Sequence, residues 1–266
     1  MKQTDRHNSI EKALQILLSF QAERPSWGVR ELGAHLGFSP ATVQRILQVL
    51  KRSGFVAQDP VSRQYRLGVV FYRFLHALKG TYPITRASQP FLQELMAATG
   101  ETVHLNIIEG TDRVCVDTLE SHQALKASMP IGSRSPLYAG GSSKCLLAFW
   151  DPERREGYLN DLTALAPFTD RTVTDITVLR RELAQIAAQG FAASLGERNR
   201  GLGSLSAPVF DHHGRLLASL SLAIPEIRYK DQDHRDACLR QLQKAARAFS
   251  RVMGHESGDA QQPETP

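Results

Sequence analysis

The stretch from Gly37 to Gly68 changes along its length from a helical to a strand-like pattern of apolar positions. In its first part apolar residues recur at i, i+3, i+4 and i+7, which predicts a helix with one buried stripe. That stripe consists of Val43, Ile46, Leu47 and Leu50. Ser39 is placed to cap this helix, and Pro40 occupies its first position, where a missing backbone N–H costs nothing. We expect the helix to end at Ser53-Gly54.

The opposite face of this predicted helix carries small, hydroxyl, amide and guanidinium groups near its N-terminus. Such groups read base edges in the major groove of DNA. The residues predicted to contact bases are Ala41, Thr42, Gln44 and Arg45. Those predicted to contact phosphate are Ser39 and Arg52. The solvated face of an ordinary surface helix would carry similar residues, so the helix alone leaves both interpretations open.

A β-hairpin is predicted directly after this helix. Its strands cover residues 55–57 and 64–67, and residues 59–62 have the composition of a tight turn. A helix-turn-helix followed by such a hairpin forms a winged helix. Arg63 lies at the tip of the hairpin, where we predict a phosphate contact. Because helix and hairpin occur together, DNA binding is favoured over a solvated surface.

Three further helices flank this region. The first is predicted over residues 10–23, with an inner face of Ala13, Leu14, Leu17, Leu18 and Phe20. Residues 24–28 have the composition of a turn, and a second helix follows over 29–36, ended by Gly37. The third, over 69–79, is apolar on more than one face. It therefore needs a partner, either in its own domain or in a second subunit.

The rest of the chain mixes strands and helices and predicts an α+β fold around one antiparallel sheet. Helices are expected over 84–99, 144–150, 176–189 and 231–253, and strands over 102–108, 113–119, 191–195, 205–210 and 216–224, with a further possible strand over 124–128. Residues 254–266 contain no apolar residue larger than Ala260, which predicts a disordered tail.

The positive charge is confined to one part of the chain. Residues 1–68 contain ten Lys or Arg and five Asp or Glu, whereas residues 69–266 contain 22 of each. When a basic segment is joined to a neutral one, only the basic segment is expected to bind a polyanion. Three widely spaced cysteines indicate reduced thiols, and no apolar run or leader segment is present, so we expect a cytoplasmic protein without a membrane span.

The chain resembles the IclR-type bacterial transcription regulators over nearly all of residues 8–253. The resemblance is carried by five blocks in the expected order. These are Ser-Pro-Ala-Thr-Val-Gln-Arg-Ile-Leu from Ser39, Thr102 to Leu105, Gly132 to Leu147, Glu197 to Asp211, and Leu220 to Pro225. The sequence departs from the family pattern at Ser143, where a glycine is common, and at Ala223, where a polar residue is frequent.

This resemblance implies a winged helix-turn-helix DNA-binding domain over 8–68, a linker and dimerisation helix over 69–82, and a GAF-like effector-binding domain over 83–253, with the tail at 254–266. It implies homodimers, or tetramers as dimers of dimers, bound to palindromic operators in double-stranded DNA as repressor or activator. The effector would be a small organic acid, aromatic acids included.

The sequence Gly140-Gly141-Ser142-Ser143 opens a predicted helix, so free backbone N–H groups and hydroxyls converge there and form a potential anion site. The same residues would cap the helix with or without a ligand. The resemblance places the effector contacts at Gly141, Ser142, Ser194, Ser204 and Ser221. We expect Leu125 and Met129 to add apolar walls.

No catalytic constellation or cofactor motif is apparent, and the protein is not expected to be an enzyme. His212-His213 has no second pair of residues at metal-ligand spacing, so no metal site is predicted. The alternative is an enzyme acting on a small acid and tethered to DNA, which would need a nucleophile–base pair. A third possibility is a sensor that recruits a protein in place of DNA.

Overall fold

The computed structural model describes residues 9–21, 24–81 and 83–256, without the side chains of 79–81 and 83. The chain forms two compact units, Met1–Tyr82 and Pro83–Pro266. The first unit contains α1 (Ser9–Leu18), β1 (Ser26–Trp27), α2 (Val29–Leu36), α3 (Pro40–Arg52), β2 (Val56–Gln58), β3 (Tyr65–Leu67) and α4 (Val70–Thr81).

The predicted start of α3 is confirmed. Ser39 has an extended backbone, and its hydroxyl accepts a hydrogen bond from the Thr42 N–H at 3.3 Å. Pro40 is the first helical residue, and the predicted stripe is buried. The preceding helix ends as expected, because Gly37 adopts the left-handed conformation with φ of 69°.

The hairpin is also confirmed, and the structure adds a third strand to it. Strands β2 and β3 pair antiparallel, and β1 joins the free edge of β3 with Trp27 opposite Tyr65. The prediction of a turn at residues 24–28 missed β1. This strand has only two residues, so it shows no periodicity of its own, and it exists because a distant strand pairs with it.

The inner face of α1 differs from the prediction. Ile16 and Phe20 are buried, whereas Leu14 is 53% exposed and Leu18 is 75% exposed. Because this helix is apolar on several sides, its period alone could not show which side is covered. The helix ends at Leu18 and residues 19–21 are not helical, so the prediction of a helix reaching residue 23 is wrong.

The second unit is built around one antiparallel sheet, as predicted. This sheet has six strands in the order β6-β5-β4-β9-β8-β7. Its elements are α5 (Pro83–Thr99), β4 (Thr102–Glu109), β5 (Asp112–Leu119), β6 (Arg134–Pro136), α6 (Gly141–Phe149), α7 (Pro152–Asp161), α8 (Ile176–Gln189), β7 (Ala192–Leu195), β8 (Leu202–Phe210), β9 (Leu216–Pro225), α9 (Glu226–Tyr229) and α10 (Gln232–Val252). Residues 124–128 form no strand. The predicted tail lies outside the described residues from 257 onward.

The two faces of this sheet have opposite chemistry because side chains alternate along each strand. One face is apolar and packs with α5 and α10; it includes Leu205, Val209, Leu220 and Leu222. The other face lies under α6 and carries buried polar side chains. These are Asn106, Ser206, Ser219 and Ser221.

Strand β5 contains one extra residue. Leu105 of β4 pairs with Asp117, but the next residue, Asn106, pairs with Cys115. Val116 between them is therefore a β-bulge, which changes the side of the sheet on which the following residues lie.

Candidate functional site

The residues predicted to read DNA share one outward surface of α3. Ala41, Arg45 and Arg52 are exposed, and Thr42 and Gln44 are half-buried. The Ser39 and Thr42 hydroxyls lie 2.9 Å apart, and the Gln44 amide donates to the Tyr65 hydroxyl at 3.4 Å. This surface thus presents the guanidinium groups of Arg45 and Arg52, small polar groups and an amide held in place by the hairpin.

Three arginines around this surface keep their charge available. Within the described residues, Arg45, Arg52 and Arg63 have no ion-pair partner. Unpaired guanidinium groups on a convex surface suit phosphate oxygens.

The hairpin tip has an ordered backbone that holds Arg63 in an uncommon conformation. The Asp59 carboxylate accepts hydrogen bonds from the backbone N–H groups of Ser62 and Val61 at 2.7 and 3.0 Å. These bonds, led by the one from Ser62, lower the pKa of Asp59. Arg63 follows with φ of 61°, the only non-glycine residue with positive φ among those described. The turn therefore fixes the direction of the Arg63 side chain. The left-handed backbone conformation that this requires costs about 1–2 kcal/mol.

The N-terminus of α6 is not the open anion site that its sequence predicts. The Gly140 N–H donates to the Glu197 carboxylate at 3.2 Å, and the Gly141 N–H donates to the Ser194 hydroxyl at 3.0 Å. The expectation of free N–H groups at these two positions is therefore wrong. The protein supplies its own anion there, as the helix dipole favours.

The same carboxylate neutralises a buried lysine one turn into α6. Lys144 Nζ lies 2.5 Å from Glu197 and 2.8 Å from Glu182, and its side chain is 3% exposed. Glu197 therefore has both of its oxygens engaged, one by the helix N-terminus and one by Lys144.

A cavity of about 50 Å³ lies beside this helix N-terminus, between β8 and the loop that precedes it. It brings together five residues of the predicted effector site, namely Met129, Gly141, Ser142, Ser194 and Ser204. The other two lie elsewhere. Leu125 is 57% exposed, and its carbonyl accepts from Arg228 at 3.0 Å. Ser221 is fully buried within the sheet, with its hydroxyl 3.4 Å from the Asn106 amide.

Sequence reasoning missed the most chemically distinctive residue of this cavity, Arg113. Its side chain lines the cavity although the residue is only 4% exposed. Nη1 makes long contacts to Met129 Sδ (3.2 Å), the Ser133 carbonyl (3.4 Å) and Asn106 Oδ1 (3.5 Å), and Nε has no hydrogen-bond partner in the described structure. The sequence signal that could have identified Arg113 is its position in a strand of mostly apolar residues, where alternation places its side chain on a buried face.

Two further polar residues line the cavity although they were not among the predicted effector contacts, namely His104 and Arg198. Burial, together with the positive charge of Arg113, lowers the pKa of His104 to about 3. The imidazole is therefore neutral near pH 7, and its buried Nδ1 has no partner among the described residues. Burial also lowers the pKa of Arg113, and the charge of Arg198 lowers it further. The Arg113 guanidinium nevertheless remains protonated, since arginine does not deprotonate in proteins.

The three cysteine thiols are buried and unreactive. Burial raises the pKa of Cys115 to about 11 and that of Cys238 to about 12, and it raises the pKa of Cys145 as well. They are protonated at neutral pH and are poor nucleophiles. In the parts of the chain that the structure describes, no three His, Cys, Asp or Glu side chains are placed to hold a metal ion. None of the described helices is both long and apolar enough to cross a membrane.

Comparison with protein families finds two matches that together span most of the chain. A model of the IclR helix-turn-helix domain matches residues 9–60. A model of the C-terminal part of the bacterial transcriptional regulator IclR matches residues 76–251.

Individual proteins agree with these matches. The chain is 32% identical over 247 residues to the HTH-type transcriptional regulator XynR of Escherichia coli K12, covering 93% of this chain and 97% of that one. The crystal structure of Thermotoga maritima IclR superposes with a TM-score of 0.78 at 28% identity, covering 93% and 99%. An IclR homologue of Microbacterium hydrocarbonoxydans, complexed with 4-hydroxybenzoate, shares the fold with a TM-score of 0.77 at 22% identity, covering 92% and 99%.

Proposed function

This chain belongs to the IclR family of bacterial transcriptional regulators, and we propose that its two units divide the work of regulation. The first unit binds operator DNA through α3 and the hairpin. The second unit binds a small organic acid in the cavity beside α6. Occupancy of the cavity then changes the affinity for the operator, because the ligand favours one arrangement of the protein over another.

The observation that carries the ligand-binding part is Arg113. A buried cation without a carboxylate partner is costly to maintain, and an anion that enters the cavity would neutralise it. The hydroxyl groups of Ser142, Ser194 and Ser204, which line the same cavity, provide further polar contacts. A volume of about 50 Å³ corresponds to three to five water molecules, at about 10–15 Å³ each. This size supports a compact acid over an aromatic one.

The DNA-binding part is supported by the charge and the exposure of the first unit. Ala41, Thr42, Gln44 and Arg45 would contact base edges. Ser39, Arg52 and Arg63 would contact phosphates and set the orientation of the protein on the duplex. Basic residues outnumber acidic ones by ten to five within residues 1–68, and this excess adds an attraction for the polyanion that does not depend on the DNA sequence.

Self-association is supported by α4. Four large apolar side chains of this helix are exposed, at 74% for Tyr72, 48% for Phe74, 47% for Leu75 and 51% for Leu78. An exposed apolar patch of this kind marks an interaction surface. We propose that residues 69–82 form the dimerisation helix between a DNA-binding domain over 8–68 and an effector domain over 83–253. Two such subunits, or a dimer of dimers, would bind a palindromic operator.

The test measures operator binding by fluorescence anisotropy, with labelled duplexes from the region upstream of the gene that encodes this protein. Arg45→Ala should weaken operator binding at least about tenfold, since a good base contact contributes about 1–3 kcal/mol. The matched control is Arg154→Ala, which removes the same charge from an exposed site on α7 and should leave the affinity unchanged.

The effector part is tested by titrating the same complex with small organic acids. At least one acid should change the operator dissociation constant by fivefold or more, the usual lower end of allosteric coupling. Unchanged operator affinity with every acid would refute regulation by such ligands. Intact operator binding in Arg45→Ala would refute the assigned DNA surface, whereas no operator binding by the unmodified protein would favour a sensor that recruits a protein.

A further inference from the structure

We propose that the cavity selects a short dicarboxylate over a monocarboxylate, because two arginines from different elements line it and no carboxylate among the described residues neutralises either one. This inference rests on the proposed function, in which the cavity holds an organic acid. It specifies that the acid carries two negative charges, and it assigns the selection of dicarboxylates over monocarboxylates to Arg113 and Arg198.

Arg113 is the inner of the two cations. It reaches the cavity from β5, and the residue is only 4% exposed. Its Nε has no partner in the part of the chain that the structure describes, and its Nη1 contacts are neutral acceptors at 3.2 Å or more. The adjacent acid, Asp112, is held by Arg134 at 3.0 Å on the exposed side of the strand. A guanidinium in this position has donors directed at the cavity and no internal anion to receive them.

Arg198 is the outer cation and comes from the loop between β7 and β8. Its Nε donates to the Ser135 hydroxyl at 3.0 Å, and its guanidinium carbon lies 3.8 Å above the Phe168 ring. Ser135 is the strand partner of Arg113, so this hydrogen bond anchors the second guanidinium beside the first. The aromatic contact holds the guanidinium plane without neutralising its charge.

The acidic residues near Arg198 are all committed to other partners. Glu197 is bound by the Gly140 N–H and Lys144. Asp170 pairs with Arg200 at 3.4 Å, and Glu226 pairs with Arg171 and Lys230. Within the described residues, neither Arg113 nor Arg198 forms an ion pair. The cavity therefore holds two positive charges and no negative one.

Two like charges in a poorly solvated space repel each other, and the ligand determines how much of that repulsion remains. A monocarboxylate neutralises one guanidinium and leaves the other unpaired. A dicarboxylate of two to four carbons can give each guanidinium its own carboxylate in a bidentate contact. Neutral His104 adds an unpartnered nitrogen for one more ligand oxygen without changing the charge balance. The small volume excludes long diacids.

The experiment is isothermal titration calorimetry of the full-length protein at constant ionic strength. The dianionic probes are oxalate, malonate and succinate, and the monoanionic probes are acetate and propionate. The dicarboxylate that binds most tightly should have a dissociation constant at least tenfold below that of propionate. Sulfate is included as a dianion that has no carbon chain and should bind more weakly than that dicarboxylate.

Arg198→Gln tests the discrimination directly. Its side chain is only half-buried and lies in a loop, so the variant is expected to fold. The ratio of propionate to dicarboxylate dissociation constants should fall to within threefold, with the propionate value changed by less than twofold. Arg200→Gln is the matched control, because Arg200 lies in the same loop, pairs with Asp170 and does not line the cavity. It should keep the full ratio.

Arg113→Gln should weaken both classes of acid at least tenfold. It should not lower the thermal midpoint of the ligand-free protein, since it removes an unpaired buried charge. A purely structural arginine would show the opposite pattern, a lower midpoint with unchanged selectivity. If this variant does not fold, Arg198→Gln still decides the question.

Three results would overturn the inference: equal affinity for both classes in the unmodified protein, no binding of any probe, or sulfate binding tighter than every dicarboxylate. Anisotropy with operator DNA on the same samples separates this inference from the proposed function. A dicarboxylate that binds selectively but leaves operator affinity unchanged supports the inference and refutes regulation. Monocarboxylates that match dicarboxylates in affinity and in effect on the operator refute the inference and support regulation.

Discussion

The N-termini of α3 and α6 satisfy their backbone donors in opposite ways. In α3 the partner is Ser39, whose hydroxyl accepts from a residue three positions ahead. In α6 the partners are Ser194 and Glu197, more than 50 residues away in the sequence. A local cap leaves the helix end exposed to an external ligand. A distant cap ties the helix end into the core of its unit.

This difference decides where each unit can receive an anion. The N-terminus of α3 lies on the surface among unpaired arginines and is open to a phosphate. The N-terminus of α6 already has a carboxylate at Gly140, so a ligand must find its positive charge elsewhere. The charge is supplied by Arg113, from a strand that runs beneath the helix end.

The largest expected effect comes from removing the distant cap. Glu197→Gln keeps the shape of the side chain but leaves Lys144, 3% exposed, with Glu182 as its remaining carboxylate. We expect the unfolding free energy of the second unit to fall by about 3 kcal/mol, the lower end for breaking a buried pair. Urea unfolding followed by Trp150 fluorescence in a Trp27→Phe background measures this unit alone, because the chain has only these two tryptophans.

Glu182→Gln is the control for that measurement. The Glu182 side chain is 34% exposed, so its loss should cost about 1 kcal/mol or less. Equal losses for the two variants would show that Glu197 has no special role in holding α6.

An intermediate effect is expected from crowding the start of α6. A Cβ added at Gly141 would lie 2.8 Å from the Ser204 hydroxyl and 3.1 Å from its Cβ. Gly141→Ala should therefore destabilise the second unit by about 1–3 kcal/mol and weaken binding of any cavity ligand. Trp150 fluorescence and calorimetry measure the two effects.

Gly157→Ala in α7 is the matched substitution, because nothing lies within 4 Å of the added Cβ. It should stabilise the protein by about 0.5–1 kcal/mol, as expected for a helical glycine. If both substitutions stabilise, the close approach at Gly141 is not a constraint.

The smallest effect is expected at the local cap. Ser39→Ala should lower the stability of the first unit by about 1 kcal/mol, and Ser39→Asn should preserve it, because asparagine is an equally good cap. Trp27 fluorescence in a Trp150→Phe background reports on this unit. A loss in Ser39→Asn as large as in Ser39→Ala would mean that the hydroxyl acts in some way other than capping.

The same contrast explains which features were predictable from the sequence. The bounds of α2 and α8 and the start of α3 follow from signals within a few residues, such as the Asp175 cap and the left-handed Gly190 of α8. Strand β1 and the capping of α6 depend on residues that are distant in sequence and close only after folding. No local pattern encodes them.

The cavity shows the same limit. Its serines and glycines were found through the resemblance, and Met129 as an apolar wall, yet Arg113 was not among them. An arginine just after a turn normally lies in solvent, and only the paired sheet shows that this one is buried. Leu125 was expected in the cavity on hydrophobicity alone, but the loop that carries it leaves the side chain exposed.

The extra residue in β5 makes the charge of the cavity depend on how two strands pair as well as on side-chain identity. Because Val116 is inserted, Arg113 faces the cavity while Asp117 lies against α5, where it accepts hydrogen bonds from Ser88 and Gln89 at 2.7 Å. Residues four apart on a regular strand share a face, so without the bulge the Asp117 carboxylate would lie on the same face as Arg113. A relative with the same residues here but regular pairing of the two strands would therefore carry a carboxylate beside the arginine of its cavity.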